Sequence, residues 1–410
     1  MISTYYGEFL TSPVPLELSL NYCSHGCSFC FANLSKRDRK ADMKQVMGLL
    51  SAFRERRTLE ALLLREGYPV LISNRVDPFA NSNYQQSLAV IETCVALGIP
   101  MAFQTRGGRG IDEALSILAP SCWYISINTA SEDLRERLEP GAPSLASRYA
   151  LIEKLRAAGH RVVLGLNPCV PEWVPDPLAV LAPAKAAGAE GVWCEALHFN
   201  RDQVAAMKPR ERESVGEDLI KRACKRSVTP DDAAHVDLAL DLADEIGLAP
   251  FRMLQSRRSN FWDPFTETYP RLFPVLQEFI NALHDVEAEG VDFETFAYWA
   301  LRDLPHGDRL PIDGYIGSVA RNVLAGTVDV PWHDGPYKIP PRMDFSEVLK
   351  LFWCLPNMTA SVVQCEAFSF VATDTGSDGA QLVGDDGMPL MMFHAAGTLD
   401  YWDITPTEGE

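Results

Sequence analysis

Apolar and polar positions follow two different periods along the first half of the chain. "LELSLNY", running into Cys23, is a short strand-like run. From Asp42, "DMKQVMGLLSAFRERRTLEALLL" places Met43, Val46, Leu49, Leu50 and Phe53 in one helical stripe and predicts a single helix. "YPVLISN" reads as a buried strand, "NYQQSLAVIETCVALG" as a helix ending at Gly98, and "IPMAFQT" as a strand. "GIDEALSILA" is a helix stopped by Pro120, and "CWYISIN" a strand. "SLASRYALIEKLRAAG" is a helix closed by Gly159, followed by the strand "HRVVLGLN", the helix "PDPLAVLAPAKAAG" and the strand "EGVWCEAL". Six strands separated by helices predict an α/β fold with a parallel sheet and right-handed crossovers. Such a sheet carries its site at the carboxyl ends of its strands, and the cysteines follow the first strand at that end.

Strand alternation divides the faces. Tyr124, Ser126 and Asn128 share one, and Trp123, Ile125 and Ile127 the other. Gly165, Asn167 and Cys169 also share a face, with Gly165 open to close approach by a ligand. Polar atoms turned inward need partners, because leaving one unpaired costs about 1–3 kcal/mol. A ribose and an amino-acid carboxylate would supply them, and so would neighbouring strands.

The second half carries less recognisable chemistry. "RDQVAAMKPRERESVGEDLIKRACKR" is mixed-charge and helical: a solvated helix pair or a nucleic-acid rim. In "LQSRRSNFWDPF", Arg257 and Arg258 precede Phe261, Trp262 and Phe265, an arrangement for stacking a base or for a lid. The apolar stretch from Asp344 to Phe370, with Phe352, Trp353 and Phe368, is no linker. Cys354 and Cys365 lie too far apart to predict a second cluster. "TDTGSDGAQLVGDDGMPLMMFH" predicts a hairpin turning at "DDG", and "TPTEGE" a loose tail. The expected organisation is a barrel over 1–200, a mostly helical covering region over 201–340 and a small α+β region over 341–410.

At 410 residues, with 47% hydrophobic and 22% charged positions, the chain has the composition of a soluble globular protein. No apolar run reaches the ~18 residues of a membrane span, and "MISTYYGEFL" lacks the basic start and apolar stretch expected of a signal peptide. A cytoplasmic location follows as the expectation, with ten reduced cysteines. The net charge of −18 disfavours indiscriminate binding to duplex nucleic acid. It is unevenly spread: Ser361 to Glu410 holds no Lys or Arg, whereas "SKRDRK" carries Lys36, Arg37, Arg39 and Lys40, a solvated helix start or a phosphate-contacting rim.

"NYCSHGCSFCFAN" packs Cys23, Cys27 and Cys30 into eight residues. Thiolates at this spacing suit zinc or an iron–sulfur cluster. A structural zinc site wants a fourth ligand, and only His25 lies in the loop. A four-iron cluster on three cysteines keeps one iron open for chemistry. Gly26 allows the tight turn, and Phe29 adjoins the last ligand.

Cys-x3-Cys-x2-Cys, with an aromatic before the last cysteine and directly after a first strand, resembles the radical S-adenosylmethionine (SAM) enzymes. The resemblance implies a partial (β/α)6 TIM-type barrel with an α+β C-terminal extension. It implies a [4Fe-4S] cluster on Cys23, Cys27 and Cys30, whose open iron binds SAM, with Phe29 near the adenine. It also implies reductive cleavage of SAM to methionine and a 5'-deoxyadenosyl radical that takes hydrogen from a substrate. Further segments are similar to the spore photoproduct lyase-like branch. They are "SNRVDPFANSNY", "FQTRGG", "YISINTASEDLRERLEPGAPSLASRYALIEKLRAAGHRVVLGLNPCVP" and "AGAEGVW", and they span about Pro15 to His198. On this likeness Asn74, Asp77, Arg106, Ser126, Asn128 and Asn167 are expected at the cofactor.

That branch returns hydrogen from a cysteine soon after the second strand. Here Ser73 and Asn74 stand there, and no cysteine occurs between Cys30 and Cys94, so lyase activity is not expected. Cys169 and Cys194 are the candidate thiols instead. The expected partners are SAM, an electron donor such as flavodoxin or ferredoxin, and a nucleotide or single-stranded nucleic-acid substrate, with no membrane. A small metabolite or peptide substrate, or a metal-stapled binding protein without catalysis, are the competing readings.

Overall fold

The apolar runs of the first half become strands that pair in the order in which they occur: β1 (Ile2–Thr4), β2 (Leu16–Leu18), β3 (Val70–Ile72), β4 (Met101–Thr105), β5 (Cys122–Ser126), β6 (Arg161–Leu166), β7 (Gly191–Cys194) and β8 (Ala249–Phe251). The structure is a computed structural model. It describes residues 2–4, 16–18, 20, 23–30, 43–56, 59–72, 76–199, 201–224, 228–251, 267–269, 292–301, 327–340, 345–353, 370–372, 382–385 and 387–393. β1 is antiparallel to β2, and every pairing from β2 to β8 is parallel. Among the described residues no pairing joins β8 back to β1, so the sheet is an open, partial barrel.

The crossovers are α1 (Met43–Ala52), α2 (Leu59–Arg65), α3 (Tyr84–Leu97), α4 (Ile111–Leu115), α5 (Glu132–Leu138), α6 (Leu145–Ala157) and α7 (Leu178–Ala186). After β7 come α8 (Arg201–Ala206), α9 (Pro209–Val215), α10 (Glu217–Ala223) and α11 (Pro230–Glu245). Four expectations change here. The helix expected from Asp42 breaks in two, because Arg54, Glu55 and Arg56 offer the core nothing to bury. α5 is additional; Ser131 caps it by accepting from the Leu134 N–H, and Glu132 and Asp133 favour its first turn. Pro250 hides β8 inside a three-residue run, so six expected parallel strands become seven. The sheet consequently runs past the expected boundary at residue 200, through α11 and β8.

Register separates the two faces. Val70, Ile72, Phe103, Trp123, Ile125, Val162, Leu164, Leu166 and Val192 point outward into one apolar cluster with the helices. Phe103 stacks on Trp123 at 4.2 Å between centroids, and Phe79 lies 5.6 Å from Trp123. Ser126, Gly165 and Trp193 are register partners on the inner face. At the amino end of that face, buried Tyr269 donates to the Met101 carbonyl at 2.7 Å and accepts from the Cys122 N–H at 2.9 Å.

In the C-terminal part, α12 (Phe293–Leu301) meets α13 (Phe345–Trp353), with Phe293 and Trp353 5.9 Å apart. β9 (Thr327–Val328) pairs with β10 (Tyr337–Lys338), and β11 (Phe370–Ala372) with β12 (Met391–Phe393), each antiparallel. The hairpin expected around "DDG" is present in its described residues: Val383 bridges Pro389, and the Gly387 N–H donates to Gly384 at 2.9 Å. Where a helix pair is expected after residue 200, three short helices occur, α8 to α10, because Pro209 and Gly216 interrupt the run. There Arg212 pairs with Glu217 at 2.6 Å, and Arg222 with Glu172 at 2.6 Å and Asp232 at 3.0 Å. Lys36, Arg37, Arg39, Lys40, Lys225, Arg226, Arg257, Arg258, Phe261, Trp262, Phe265, Cys354, Cys365 and Phe368 lie outside the described residues. Among the described residues, no helix is long and apolar enough to cross a membrane.

Candidate active site

The cysteine loop follows β2 and docks on the segment after α5. Gly26 turns it at φ 63°, a left-handed conformation that favours glycine. The Ser28 N–H donates to Leu138, and the Gly141 N–H to His25, both at 2.8 Å. Gly141 permits that approach: a Cβ there would stand 2.2 Å from the Ser24 carbonyl oxygen. Ser24 and Ser82 exchange side-chain and backbone hydrogen bonds at 3.1 and 3.3 Å, tying the loop to the segment after β3 as well.

Cys27 is buried, and Cys23 and Cys30 are half-buried; none forms a disulfide. Burial, then the Asp77 charge, pushes the Cys23 thiol up to about 11. Burial also raises Cys27, and the Arg106 guanidinium works against that.

Asp77 joins three strand ends. Its Oδ1 accepts from the Phe79 N–H at 2.9 Å and the Thr105 hydroxyl at 2.7 Å, and its Oδ2 from the Arg106 N–H at 2.6 Å. His25 Nδ1 donates to the Gly141 carbonyl at 3.0 Å. Its Nε2 lies 3.0 Å from Asp77 Oδ2, close but without hydrogen-bond geometry. Burial raises the Asp77 carboxyl, but His25, the Arg106 N–H and Thr105 outweigh it and hold it below its ordinary 3.8. Asp77 therefore braces the loop from beneath. His25, the sequence's only nearby fourth zinc ligand, is already engaged through both nitrogens.

A buried charge triad stands beside the cysteines. Arg106 Nε donates to Glu139 Oε1 at 2.6 Å, and Arg148 Nη2 to Glu139 Oε2 at 2.5 Å. Arg148 also donates to the Ser126 and Pro143 carbonyls at 3.0 and 3.1 Å. Burial would raise Glu139, yet Arg106 and Arg148 hold it well ionised, below its ordinary value. Two guanidiniums on one carboxylate leave one positive charge over, and Cys27 and Cys30 are the groups that feel it at Arg106. Phe29 is buried against Trp173 at 5.1 Å, with the Arg106 guanidinium 5.7 Å from its ring.

The inner face past β5, β6 and β7 is polar. Ser126 and Asn128 are buried there. Asn128 Nδ2 makes a long 3.4 Å bond to the Pro168 carbonyl, and its Oδ1 has no partner among the described residues. Asn167 Nδ2 donates to Glu195 Oε2 at 3.0 Å, and Trp193 Nε1 to Glu195 Oε1 at 2.7 Å. Gly165 makes room for Tyr124, not for a ligand: a Cβ would stand 2.0 Å from the tyrosine ring. Cys169 is buried, its N–H bonded to the Glu195 carbonyl at 2.6 Å. Cys194 is in register with outward-facing Leu166 and belongs to the helix-side cluster, so the structure does not bring it to the inner face. Asn74 lies outside the described residues. Sequence reasoning missed Glu195 and the bracing role of His25. The alternation Trp193–Glu195 on an inward face was the available signal for the former.

These residues fit an iron–sulfur cluster. Three thiols share one braced loop, and the surplus guanidinium charge suits an anionic thiolate–metal group. Among the described residues no group of three or more His, Cys, Asp or Glu side chains is arranged to hold a metal ion.

Among curated proteins, the chain is 26% identical over 194 residues to uncharacterized protein ORF301 of Acidianus two-tailed virus, covering 43% of this chain and 64% of that one. It is equally identical over 194 residues to uncharacterized protein Rv2578c of Mycobacterium tuberculosis, covering 43% and 56%. The match thus spans less than two-thirds of the length of these relatives. Among solved structures, a mutant spore photoproduct lyase aligns with TM-score 0.46 and 13% identity over 61% of this chain and 78% of that chain. TYW1 with a lysine-pyruvate adduct bound aligns with TM-score 0.33 and 14% identity over 52% and 78%. Residues 18–181, from β2 into α7, match the profile of the Radical SAM superfamily.

Proposed function

We propose that this protein is a radical SAM enzyme in which Cys23, Cys27 and Cys30 hold a [4Fe-4S] cluster, with SAM and substrate on the inner face at the carboxyl ends of β4 to β7. The observation that carries it is the braced three-thiol loop beside the surplus charge of Arg106. The bound cluster and SAM supply one-electron chemistry: cleavage of SAM to methionine and a 5'-deoxyadenosyl group that takes hydrogen from the substrate.

The chain's own residues do the rest. Asp77 and His25 fix the loop, and Glu139 aims Arg106. Asn128 offers its unpartnered oxygen, and Ser126 its hydroxyl, to a ribose, while Phe29 backs the loop. Residues 1–200 form most of this barrel and the later residues cover it. The substrate is a nucleobase or nucleotide rather than a duplex: the net charge is −18, and Arg212 and Arg222 are already paired. Electrons come from a flavodoxin or ferredoxin in a reducing cytoplasm, in keeping with eight described cysteines free of disulfides. Cys169, a buried thiol just past β6 whose N–H bonds the Glu195 carbonyl, is our candidate for returning hydrogen.

The test is anaerobic. After reconstitution with iron and sulfide and reduction, the wild type releases 5'-deoxyadenosine from SAM and Cys30→Ala releases none. Zinc in place of iron, with no SAM binding, overturns the reading. Cys169→Ala should still cleave SAM but fail to complete normal product; unchanged product removes Cys169 from the reaction.

A further inference from the structure

Glu195 stands out among the carboxylates of the inner face. Its carboxylate is exposed, yet dense surrounding protein raises its pKa above the ordinary 4.5. Trp193 and Asn167 each occupy one of its oxygens and hold it still. A carboxylate has about four lone-pair sites, so each oxygen keeps one free. Among the described residues no cation comes within ion-pair distance, in contrast to Asp77 and Glu139. Beside it lies an apolar floor made by Tyr124, Trp193, Val163 and Ala249, with the Tyr124 ring lying across Gly165. Across the β5 end, buried Asn128, 1% exposed, turns an unpartnered amide oxygen to the same side.

A fixed carboxylate with two free lone pairs next to an aromatic floor selects a flat group that presents two adjacent N–H donors. We infer that Glu195 is the specificity-determining residue of a substrate pocket on the inner face, accepting a paired N–H edge of a planar substrate group stacked by Trp193 and Tyr124. A guanine edge and a guanidinium group share that chemistry. An adenine edge does not, because its amino donor adjoins an acceptor. The inference deepens the proposed function by naming the substrate edge, and it is tested without turnover.

The full-length, cluster-reconstituted protein is titrated anaerobically with guanosine, inosine, adenosine and methylguanidine, following tryptophan fluorescence and calorimetric heat. Inosine lacks the second donor of guanosine. Guanosine or methylguanidine should bind the wild type, and whichever binds more tightly identifies the source of the edge. Inosine and adenosine should bind about 10- to 100-fold more weakly, the worth of one charge-assisted hydrogen bond. Glu195→Gln should abolish that discrimination, and Glu195→Asp should retain part of it. Circular dichroism and the iron content of both variants verify folding, and Glu195→Asp supplies the comparison if Glu195→Gln does not fold. Equal binding of all four probes, or discrimination that survives Glu195→Gln, overturns the inference. Loss of SAM binding together with probe binding assigns Glu195 to the cofactor and overturns it too. Discrimination without any deoxyadenosine would leave the pocket standing and defeat only the radical reading.

Discussion

On the cysteine side of the inner face, each carboxylate is answered: Asp77 by His25, Thr105 and the Arg106 N–H, and Glu139 by Arg106 and Arg148. On the β7 side, Glu195 has hydrogen-bond donors but no cation among the described residues. A fully partnered buried network fixes its own geometry and is costly to break. A carboxylate left with spare lone pairs holds a place for something that arrives from outside. One side of the mouth is therefore built to position a cofactor loop, and the other to recognise a ligand.

That contrast can be broken most severely at Glu139. Glu139→Ala strands the buried Arg148 and the half-buried Arg106 guanidiniums and should cost about 3–5 kcal/mol, read from urea denaturation. A loss under 1 kcal/mol would mean the triad is solvated and the contrast false. The matching change across the mouth, Glu195→Gln, should shift stability by no more than about 1 kcal/mol, because it removes an uncompensated charge and keeps one acceptor.

The smallest effect is the pH dependence, where the two carboxylates have opposite signs. Glu139 is held below its ordinary 4.5, so its contribution is complete above that pH and is lost as pH falls through the lower folded value. Glu195 is raised above 4.5, so its ionised form weakens the fold at neutral pH, and protonation relieves this as pH falls through the raised value. The stability gap between wild type and Glu195→Gln should therefore narrow as pH falls from neutral toward the ordinary 4.5. A gap independent of pH would show that Glu195 is not perturbed.

The parallel sheet was legible because each of its longer strands is an apolar run bounded by helical periodicity, as in "CWYISIN" and "HRVVLGLN". β1 and β8, three residues each, leave too little pattern to see, and α5 owes its existence to the Ser131 cap rather than to an apolar stripe. The cysteine loop was legible because its ligands are neighbours in sequence. The groups that brace it were not: Gly141 meets His25 across 116 positions, and nothing local in "LEPGA" announces that contact. Cys194 illustrates the same limit in reverse. It sits at a strand's carboxyl end, yet one step of alternation turns it to the helices.

The docking of Gly141 against Ser24 and His25 also orders events in time. A chain emerging from the ribosome presents its three cysteines long before the segment that shapes their loop has been made. Until β3, β4 and the Leu138–Gly141 segment are in place, the loop has neither its Asp77 brace nor its seat. Maturation should thus follow folding: metal uptake in a refolding experiment should lag behind formation of the sheet, and uptake that precedes it would show that the loop assembles on its own.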